Sequence, residues 1–262
     1  MLRSMYAGIS GMKGFQTKLD VIGNNIANVN TSGFKKGRVT FQDMMSQTTS
    51  GAQGPTATRG GVNPAQVGLG SQLGTIDNIH TQGFRQTTNN PLDLALEGDG
   101  MFVLETTEGK AYTRAGNFYL DDEHNIVNSD GFYLLDSGGN KINVPEGAKS
   151  INVQKDGTVN FIDEDGNQEA GKIALAMFTN PSGLEKIGSN LFLETNNAGF
   201  IGMVDAESAG AASIVSGSLE MSNVDLAEEF TEMITAQRGF QANTRIITTS
   251  DEILQELVNL KR

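Results

Sequence analysis

The C-terminal segment, residues 222–262, carries the pattern that most constrains this chain. From residue 226, the side chains seven positions apart are all apolar, and a second column is apolar only at its two ends. The first column is Leu226, Met233, Phe240, Ile247 and Leu254, and the second is Phe230, Gln237, Thr244, Asp251 and Val258. An apolar column of this period predicts a long helix that needs a partner helix. Polar side chains in the second column indicate a defined register or partner number.

Signals at both ends support this helix. Ser222 or Asn223 is predicted to cap its N-terminus. Negative charge in the first turn and positive charge at the far end suit the helix dipole, and these residues are Asp225, Glu228, Glu229, Lys261 and Arg262. At about 1.5 Å per residue, a helix over residues 223–260 would extend roughly 57 Å.

The N-terminal residues predict a second amphipathic helix with the same kind of apolar stripe. Its apolar side chains are three or four positions apart and are Leu2, Met5, Ile9, Met12, Phe15, Leu19, Ile22 and Ile26. Four glycines interrupt it, namely Gly8, Gly11, Gly14 and Gly23, and each costs about 1 kcal/mol relative to alanine. We interpret the glycines as positions of close approach in a helix that forms on assembly. The alternative is an intrinsically poor helix.

The middle of the chain has the pattern of an antiparallel β domain. Short apolar runs alternate with turn signals every 8–12 residues or so. The predicted strands cover residues 101–104, 111–114, 118–120, 126–127, 132–135, 142–144, 151–153, 159–162 and 173–178. The fold class is therefore α+β. Long N- and C-terminal helices pair as a coiled-coil-like assembly domain (1–30 and 222–262), extended connectors follow (31–74 and 195–221), and a β-rich domain is inserted (75–194). A helix bundle closed within this one chain is the alternative.

The composition argues against catalysis and metal binding, against nucleic acid as a partner and against a membrane span. The formal charge of −12 disfavours nucleic acid, and the absence of cysteine excludes disulfides and thiolate metal sites. The histidines, His80 and His124, are isolated, and residues 163–167 fail the calcium-loop spacing. We therefore predict no catalytic residue, no cofactor and no metal site. No apolar run reaches the roughly 18 residues of a membrane span, and the first residues lack the apolar run of a cleavable signal peptide.

Three stretches identify the chain as a member of a family. Residues 24–35, residues 92–102 with 112–118, and residues 217–226 with 236–238 resemble the signatures of bacterial flagellar hook and distal-rod axial proteins. The signature residues at the two ends are Asn24, Asn25, Ala27, Asn28, Gly33, Phe34, Ser222, Asn223, Gln237 and Arg238.

This resemblance implies a structural subunit. Such subunits leave the cell through the flagellar type III export apparatus without cleavage. Their terminal helices are disordered in the monomer and pack as an inner tube, with β domains outside, so that the polymer transmits torque for motility. The implied partners are other copies of the chain and adjacent rod, hook or hook-filament junction proteins, with no insertion into a membrane.

The motifs leave hook and distal rod both open. The compact β domain and residues 183–191 are similar to the distal rod protein. Residues 222–226, 240–243 and 257–260 are more similar to hook proteins, including short hooks of Gram-positive bacteria, so the hook is preferred. The alternative from another class is a secreted β-rich adhesin or binding module with a coiled-coil stalk.

Overall fold

The computed structural model describes residues 2–56, 58–107, 109–148, 150–163, 166–208 and 210–260. Helix α1 covers Leu2–Ala27 and helix α2 covers Leu226–Asn259, with strands between them. The α+β class is thereby confirmed. Four residues that the sequence analysis invoked, Glu164, Asp165, Lys261 and Arg262, lie outside the described residues, as does the side chain of Leu2. Neither described helix is apolar enough over a sufficient length to cross a membrane.

Twenty strands and one short helix connect α1 to α2 in the described part of the chain. The first ten strands are β1 (Gly37–Asp43), β2 (Ser46–Ser50), β3 (Ala65–Gly68), β4 (Ser71–Asn78), β5 (Arg85–Thr87), β6 (Leu94–Glu97), β7 (Met101–Thr106), β8 (Gly109–Thr113), β9 (Phe118–Leu120) and β10 (Ile126–Asn128). The others are β11 (Tyr133–Leu134), β12 (Ser150–Val153), β13 (Thr158–Asp163), β14 (Gly166–Lys172), β15 (Ala174–Phe178), β16 (Glu185–Gly188), β17 (Leu191–Leu193), β18 (Phe200–Asp205), β19 (Ser213–Ser216) and β20 (Ser218–Glu220). A 3-10 helix covers Pro181–Gly183.

The chain divides into two compact units. The first, called the helical unit, comprises Met1–Ile26, Gly37–Asp77 and Asp225–Arg262. The second, called the β unit, comprises Ala27–Lys36 and Asn78–Val224.

Helix α2 begins later than the sequence predicted. Its N-cap is Asp225, whose carboxylate accepts hydrogen bonds from the backbone N–H groups of Ala227 at 2.8 Å and Glu228 at 3.4 Å. The prediction of Ser222 or Asn223 as the cap is wrong. Asn223 instead holds the β unit together: its side chain accepts from the N–H of Lys36 at 2.8 Å and donates to the carbonyl of Ile79 at 2.8 Å.

The helical unit also contains two β-ribbons. Strand β1 pairs with β4, and β2 pairs antiparallel with β3. All residues of β2 and β3 are exposed, so these strands add little core. The Phe41 ring of β1 lies 5.8 Å from the Phe15 ring of α1, measured between centroids. Strands thus occupy much of the segment 31–74, where the sequence analysis expected an extended connector.

The β unit is built on one nine-stranded antiparallel sheet. Its strands follow the order β16-β17-β8-β7-β11-β10-β9, with β15 also pairing to β7 and β18 pairing to β15. A three-stranded sheet, β12-β13-β14, and the pairs β19-β6 and β20-β5 complete the unit. Strand β7 is central because it pairs with β8, β11 and β15.

The central position of strand β7 explains the uninterrupted apolar run at residues 101–104. Phe102 and Leu104 lie in one hydrophobic cluster, while Met101 and Val103 lie in the other. Successive side chains of a strand point to opposite faces, so both faces of this strand are covered. The first cluster contains Leu94, Leu96, Phe118, Ile126, Leu134, Ile173 and Ile214, and the second contains Tyr112, Leu135, Ala176, Leu184 and Phe192.

The strand predictions were accurate where the sequence is apolar. Eight of the predicted runs coincide with strands β7 to β13 and β15. The predicted strand at 142–144 is wrong: Ile142 and Val144 are buried, but the segment makes only isolated bridges. The other twelve strands were missed, namely β1 to β6, β14 and β16 to β20, and three of them lie in the predicted connector 195–221.

Candidate assembly surface and buried ionic cluster

Small residues allow α1 and α2 to approach each other within the helical unit. A Cβ atom at Gly239 of α2 would lie 2.6 Å from the Phe15 ring of α1. A Cβ at Gly11 would lie 2.9 Å from the Asn243 side chain, and one at Gly8 would lie 3.4 Å from Ile247. Two of the four α1 glycines therefore occupy crowded positions, Gly11 against Asn243 and Gly14 against Phe41. A Cβ at Gly8 would make ordinary van der Waals contact, and one at Gly23 would meet nothing within 4 Å.

Polar contacts join the last turns of α1 to the first turns of α2. Lys18 Nζ forms an ion pair with Glu232 at 2.6 Å. The Asn25 side chain donates to Glu229 at 3.2 Å and to the carbonyl of Gly37 at 2.9 Å, and accepts from the N–H of Gly37 at 3.0 Å. Asn25 and Glu229 are both buried. The signature residue Asn25 thus joins α1, α2 and the start of β1.

The two columns of α2, together with Met5, Ile9, Met12, Leu19, Ile22 and Ile26 of α1, form the predicted subunit-assembly seam. These side chains are only partly covered. Ile22 is buried, and the half-buried members are Met5, Ile9, Met12, Leu19, Ile26, Met233, Phe240, Thr244, Ile247 and Leu254. The exposed members are Leu226, Phe230, Gln237, Asp251 and Val258. The role of this set in contacts between subunits stays a prediction.

Helix α2 exposes more apolar surface than the seam alone. Four side chains form what we call the outer stripe, with exposed fractions of 43%, 48%, 48% and 83%: Ile246, Ile253 and Leu257 of α2 and its C-cap residue Leu260. They are spaced by seven, four and three residues and therefore lie on one side of the helix. Near its start, α2 also exposes Phe230 and Ile234 at 49% and 52%. Neighbouring exposed apolar side chains on a helix are typical of an interaction surface.

The β unit contains a buried ionic cluster that the sequence analysis did not predict. The carboxylate of Glu220 accepts from Lys35 Nζ at 2.6 Å, Arg114 Nε at 2.5 Å and the N–H of Gly83 at 2.9 Å. The side chains of Lys35, Arg114 and Glu220 are 2%, 7% and 0% exposed. Arg114 also donates to the carbonyls of Gly98 and Gly100, and Lys35 donates to that of Thr81.

Each member of the cluster comes from a different family motif. Lys35 belongs to the 24–35 stretch, Arg114 to 112–118 and Glu220 to 217–226. Burial alone would raise the pKa of Glu220, but the positive charges of Arg114 and Lys35 and their hydrogen bonds lower it overall. Glu220 is therefore ionised at neutral pH. The three motifs meet because each supplies one charged side chain to the buried cluster. A charged residue inside each motif was the signal that sequence reasoning missed.

The family-signature residues take different positions. Asn25, Gly33, Phe34 and Ser222 are buried, Asn28 and Asn223 are half-buried, and the exposed ones are Asn24, Ala27, Gln237 and Arg238. Gly33 has a left-handed backbone, with φ of +70°, and its N–H donates to the carbonyl of Glu220 at 2.8 Å. A Cβ at Gly33 would lie 2.5 Å from the backbone nitrogen of Ala115.

We expect Gly33→Ala to lower the free energy of unfolding by at least about 2 kcal/mol, because it adds both backbone strain and overlap with a fixed backbone. Urea denaturation measures this change. The control is Gly23→Ala, where open space and a helical backbone predict a gain of up to about 1 kcal/mol. Equal stability of Gly33→Ala and the unmodified chain would refute the explanation of this signature position.

His80 is the unusual titratable group of the β unit. Its ring packs 5.5 Å from the Phe192 ring, and both ring nitrogens are buried with no hydrogen-bond partner in the described part of the chain. Burial lowers the pKa of His80 from 6.5 to about 4, assisted by the nearby positive charges of Lys35, Lys186 and Arg114. The ring is therefore neutral at physiological pH.

The low pKa of His80 predicts pH-dependent stability. As pH falls below 6.5, the unfolded chain binds the proton first, so stability decreases until the folded form also titrates near pH 4. Between pH 7 and pH 5 we expect His80 to account for a loss of about 2 kcal/mol. His80→Phe keeps the ring contact and removes the charge, and denaturation at both pH values should show a smaller difference. An unchanged pH dependence would contradict the assignment.

Three family descriptions match the sequence. Residues 5–35 match "Flagella basal body rod protein", residues 95–161 match "Flagellar hook protein FlgE/F/G D1 domain", and residues 215–260 match "Flagellar basal body rod FlgEFG protein C-terminal". The three members of the ionic cluster fall in these three matches, one in each.

Individual relatives agree with these matches. The chain is 58% identical over 264 residues to the flagellar basal-body rod protein FlgG of Bacillus subtilis, covering 100% of both chains. It is 40% identical over 266 residues to the FlgG rod protein of Caulobacter vibrioides, covering 99% of this chain and 100% of the relative. It is also 33% identical to the flagellar hook protein FlgE of Borreliella burgdorferi, over 441 aligned residues that cover 100% of both chains.

An exposed apolar stripe on α2, together with a β region inserted between two terminal helices, is typical of a structural protein that assembles. The matches at both ends and in the centre, together with full-length relatives well above 30% identity, make the class specific. The chain belongs to the family of bacterial flagellar basal-body rod and hook proteins, the axial structural proteins of the flagellum.

Proposed function

We propose that this chain is a rod subunit of the bacterial flagellum that polymerises with copies of itself into a tubular shaft. The observation that supports polymerisation most strongly is the outer stripe at the end of α2. Its four apolar side chains stay 43–83% exposed even though α1 already packs on this helix. Burying such surface is favourable by roughly 25 cal/mol per Å². Neighbouring subunits would supply the missing cover.

The choice of rod over hook rests on length. The Bacillus and Caulobacter rod proteins align over 264 and 266 residues, close to the 262 of this chain. The Borreliella hook protein aligns over 441, so it contains a large region that this chain lacks. The hook, which the C-terminal motifs favoured, remains the second candidate because that relative still matches the whole chain.

In this proposal the two units have different tasks. The helices, within an assembly domain of residues 1–30 and 222–262, pair in the manner of a coiled coil and form the inner wall with other subunits. The β domain, residues 75–194, forms the outside. Adjacent rod, hook or hook-filament junction proteins contact the ends of the polymer, and the flagellar export apparatus delivers the subunit. The function is mechanical, with no catalytic residue, cofactor or metal.

The absence of cysteine provides a direct test of location. Ser137 is an exposed residue between β11 and β12, so a Ser137→Cys variant carries one accessible thiol. We would express it in place of the native protein, label cells with biotin-maleimide, add gold-streptavidin and image by electron microscopy. The unmodified strain is the control, since its protein has no thiol.

The rod proposal predicts gold on a straight shaft, and only after the cell envelope has been opened. Gold on a curved segment outside intact cells would identify the hook instead. Gold scattered over the whole surface would favour the adhesin and exclude an axial subunit.

A further inference from the structure

Phe84 is the most exposed of the large apolar side chains in the β unit. It is 88% exposed, against 2% for Phe192 and 0% for Phe102 and Phe118 in the same unit. Leaving a phenyl ring in water forfeits about 1.5–3 kcal/mol of burial free energy. A ring presented in this way is a candidate anchor for another molecule.

The backbone that presents Phe84 is rigidly held. Its carbonyl accepts from the N–H of Met221 at 2.8 Å, and the N–H of the preceding Gly83 donates to Glu220 at 2.9 Å. A Cβ at Gly83 would lie 1.9 Å from the carbonyl oxygen of Met221, so the segments next to β5 and β20 are too close for any residue but glycine at this position. The buried ionic cluster therefore holds the backbone at this side chain, so that binding would order the side chain but not the backbone.

The same unit contains a pocket of suitable size and chemistry. It has a volume of about 210 Å³. Its apolar lining comes from Phe34, Leu191 and Phe192, and the remaining lining residues are Asn28, Gly33, Lys35, Lys186, Gly188, Ser189 and Asn190. A cavity of about 150 Å³ lined by apolar side chains is large enough to hold a benzene ring. We call this the Phe34–Phe192 pocket.

The Phe84 side chain, which we call the knob, has the Arg85–Glu97 ion pair beside it, and the pocket has the basic Lys186 in its lining. Lys186 Nζ lies 4.6 Å from the Phe34 ring centroid and 5.9 Å from that of Phe192, and donates to the carbonyl of Lys35. Burial lowers its pKa, and no carboxylate in the described ranges forms an ion pair with it. Glu97, which contacts the residue after Phe84 through its ion pair with Arg85 at 3.3 Å, is 56% exposed.

We propose that Phe84 of one copy inserts into the Phe34–Phe192 pocket of a second copy, with the Glu97 carboxylate approaching the Lys186 ammonium at the rim. The knob and the pocket are different surfaces, so each copy offers one of each. In a head-to-tail arrangement this contact is heterologous, and it extends along an open polymer when successive copies do not close into a ring. This inference rests on the proposed function, because it supplies a contact between β units that the helices alone do not provide.

The first test measures elongation of native flagellar shafts by the purified full-length chain. Phe84→Ala should raise the critical concentration on the order of 30-fold, the loss expected for truncating an aromatic anchor. Tyr119→Ala is the matched control, since Tyr119 is an aromatic side chain of the same unit that is 52% exposed. The unfolding midpoint of each monomer should be unchanged, which separates loss of contact from loss of fold.

The second test asks whether knob and pocket meet. In the Glu97→Cys, Lys186→Cys double variant, mild oxidation of the polymer should give a ladder of covalent oligomers longer than the dimer. Glu105→Cys with Lys186→Cys is the control, because Glu105 is 51% exposed but is not beside Phe84. If shafts elongate normally with Phe84→Ala and no specific ladder forms, the contact is refuted while the proposed function stands. If the unmodified chain never elongates a shaft, the proposed function itself fails and this contact with it.

Discussion

Ile253→Asp is expected to abolish polymerisation while leaving the monomer folded. The side chain is 48% exposed in the monomer and lies in the outer stripe of α2, so a carboxylate there remains hydrated until subunits associate. Assembly would then bury an unpaired charge in place of an apolar group, a cost of several kcal/mol. We expect the critical concentration for shaft elongation to rise at least about 100-fold.

The control for this prediction adds the same charge elsewhere on α2. Thr248 is exposed and lies roughly 200° around the helix from Ile246, away from the outer stripe. Thr248→Asp should therefore elongate shafts far better than Ile253→Asp. Circular dichroism and thermal unfolding of both monomers should match the unmodified chain. Normal elongation by Ile253→Asp would show that the outer stripe is not an assembly surface.

Glu220→Gln should be the most damaging conservative change in the β unit. It keeps the shape of the side chain but leaves Lys35 and Arg114, which are 2% and 7% exposed, without a carboxylate. Removing one partner of a buried ionic group typically costs about 3–5 kcal/mol. Urea denaturation measures this loss of unfolding free energy.

The exposed Arg85–Glu97 pair offers the matched comparison. Its side chains are 42% and 56% exposed, and Glu97→Gln should change the unfolding free energy by less than about 1 kcal/mol. If Glu220→Gln also lowers the unfolding free energy by less than about 1 kcal/mol, the buried ionic cluster is not a main source of stability in the β unit.

Features that depend on neighbouring residues could be predicted from the sequence. The seven-residue spacing from Leu226 to Leu254 is local information, and it identified α2 without any knowledge of its partner. The same holds for β7, where an apolar run between turn signals is enough. Strands such as β16 and β18 were missed because their short sequences do not alternate and their residues are largely exposed or half-buried.

Features that depend on distant residues could not be predicted. The N-cap of α2 was misplaced because Asn223, a good cap by residue type, makes hydrogen bonds to Lys36 and Ile79 instead. The partners in the ionic cluster are 185 and 106 residues apart in the chain. Nothing in the periodicity of one sequence connects Lys35, Arg114 and Glu220, although each lies within a recognised motif.

Assembly is expected to cover the outer stripe of α2, and thiol protection measures this coverage. The chain has no cysteine, so Ile253→Cys introduces one probe. We predict rapid reaction with maleimide in the monomer and strong protection in the elongated shaft, while Ser137→Cys reacts in both. Equal reactivity of Ile253→Cys in monomer and shaft would show that assembly leaves the outer stripe uncovered.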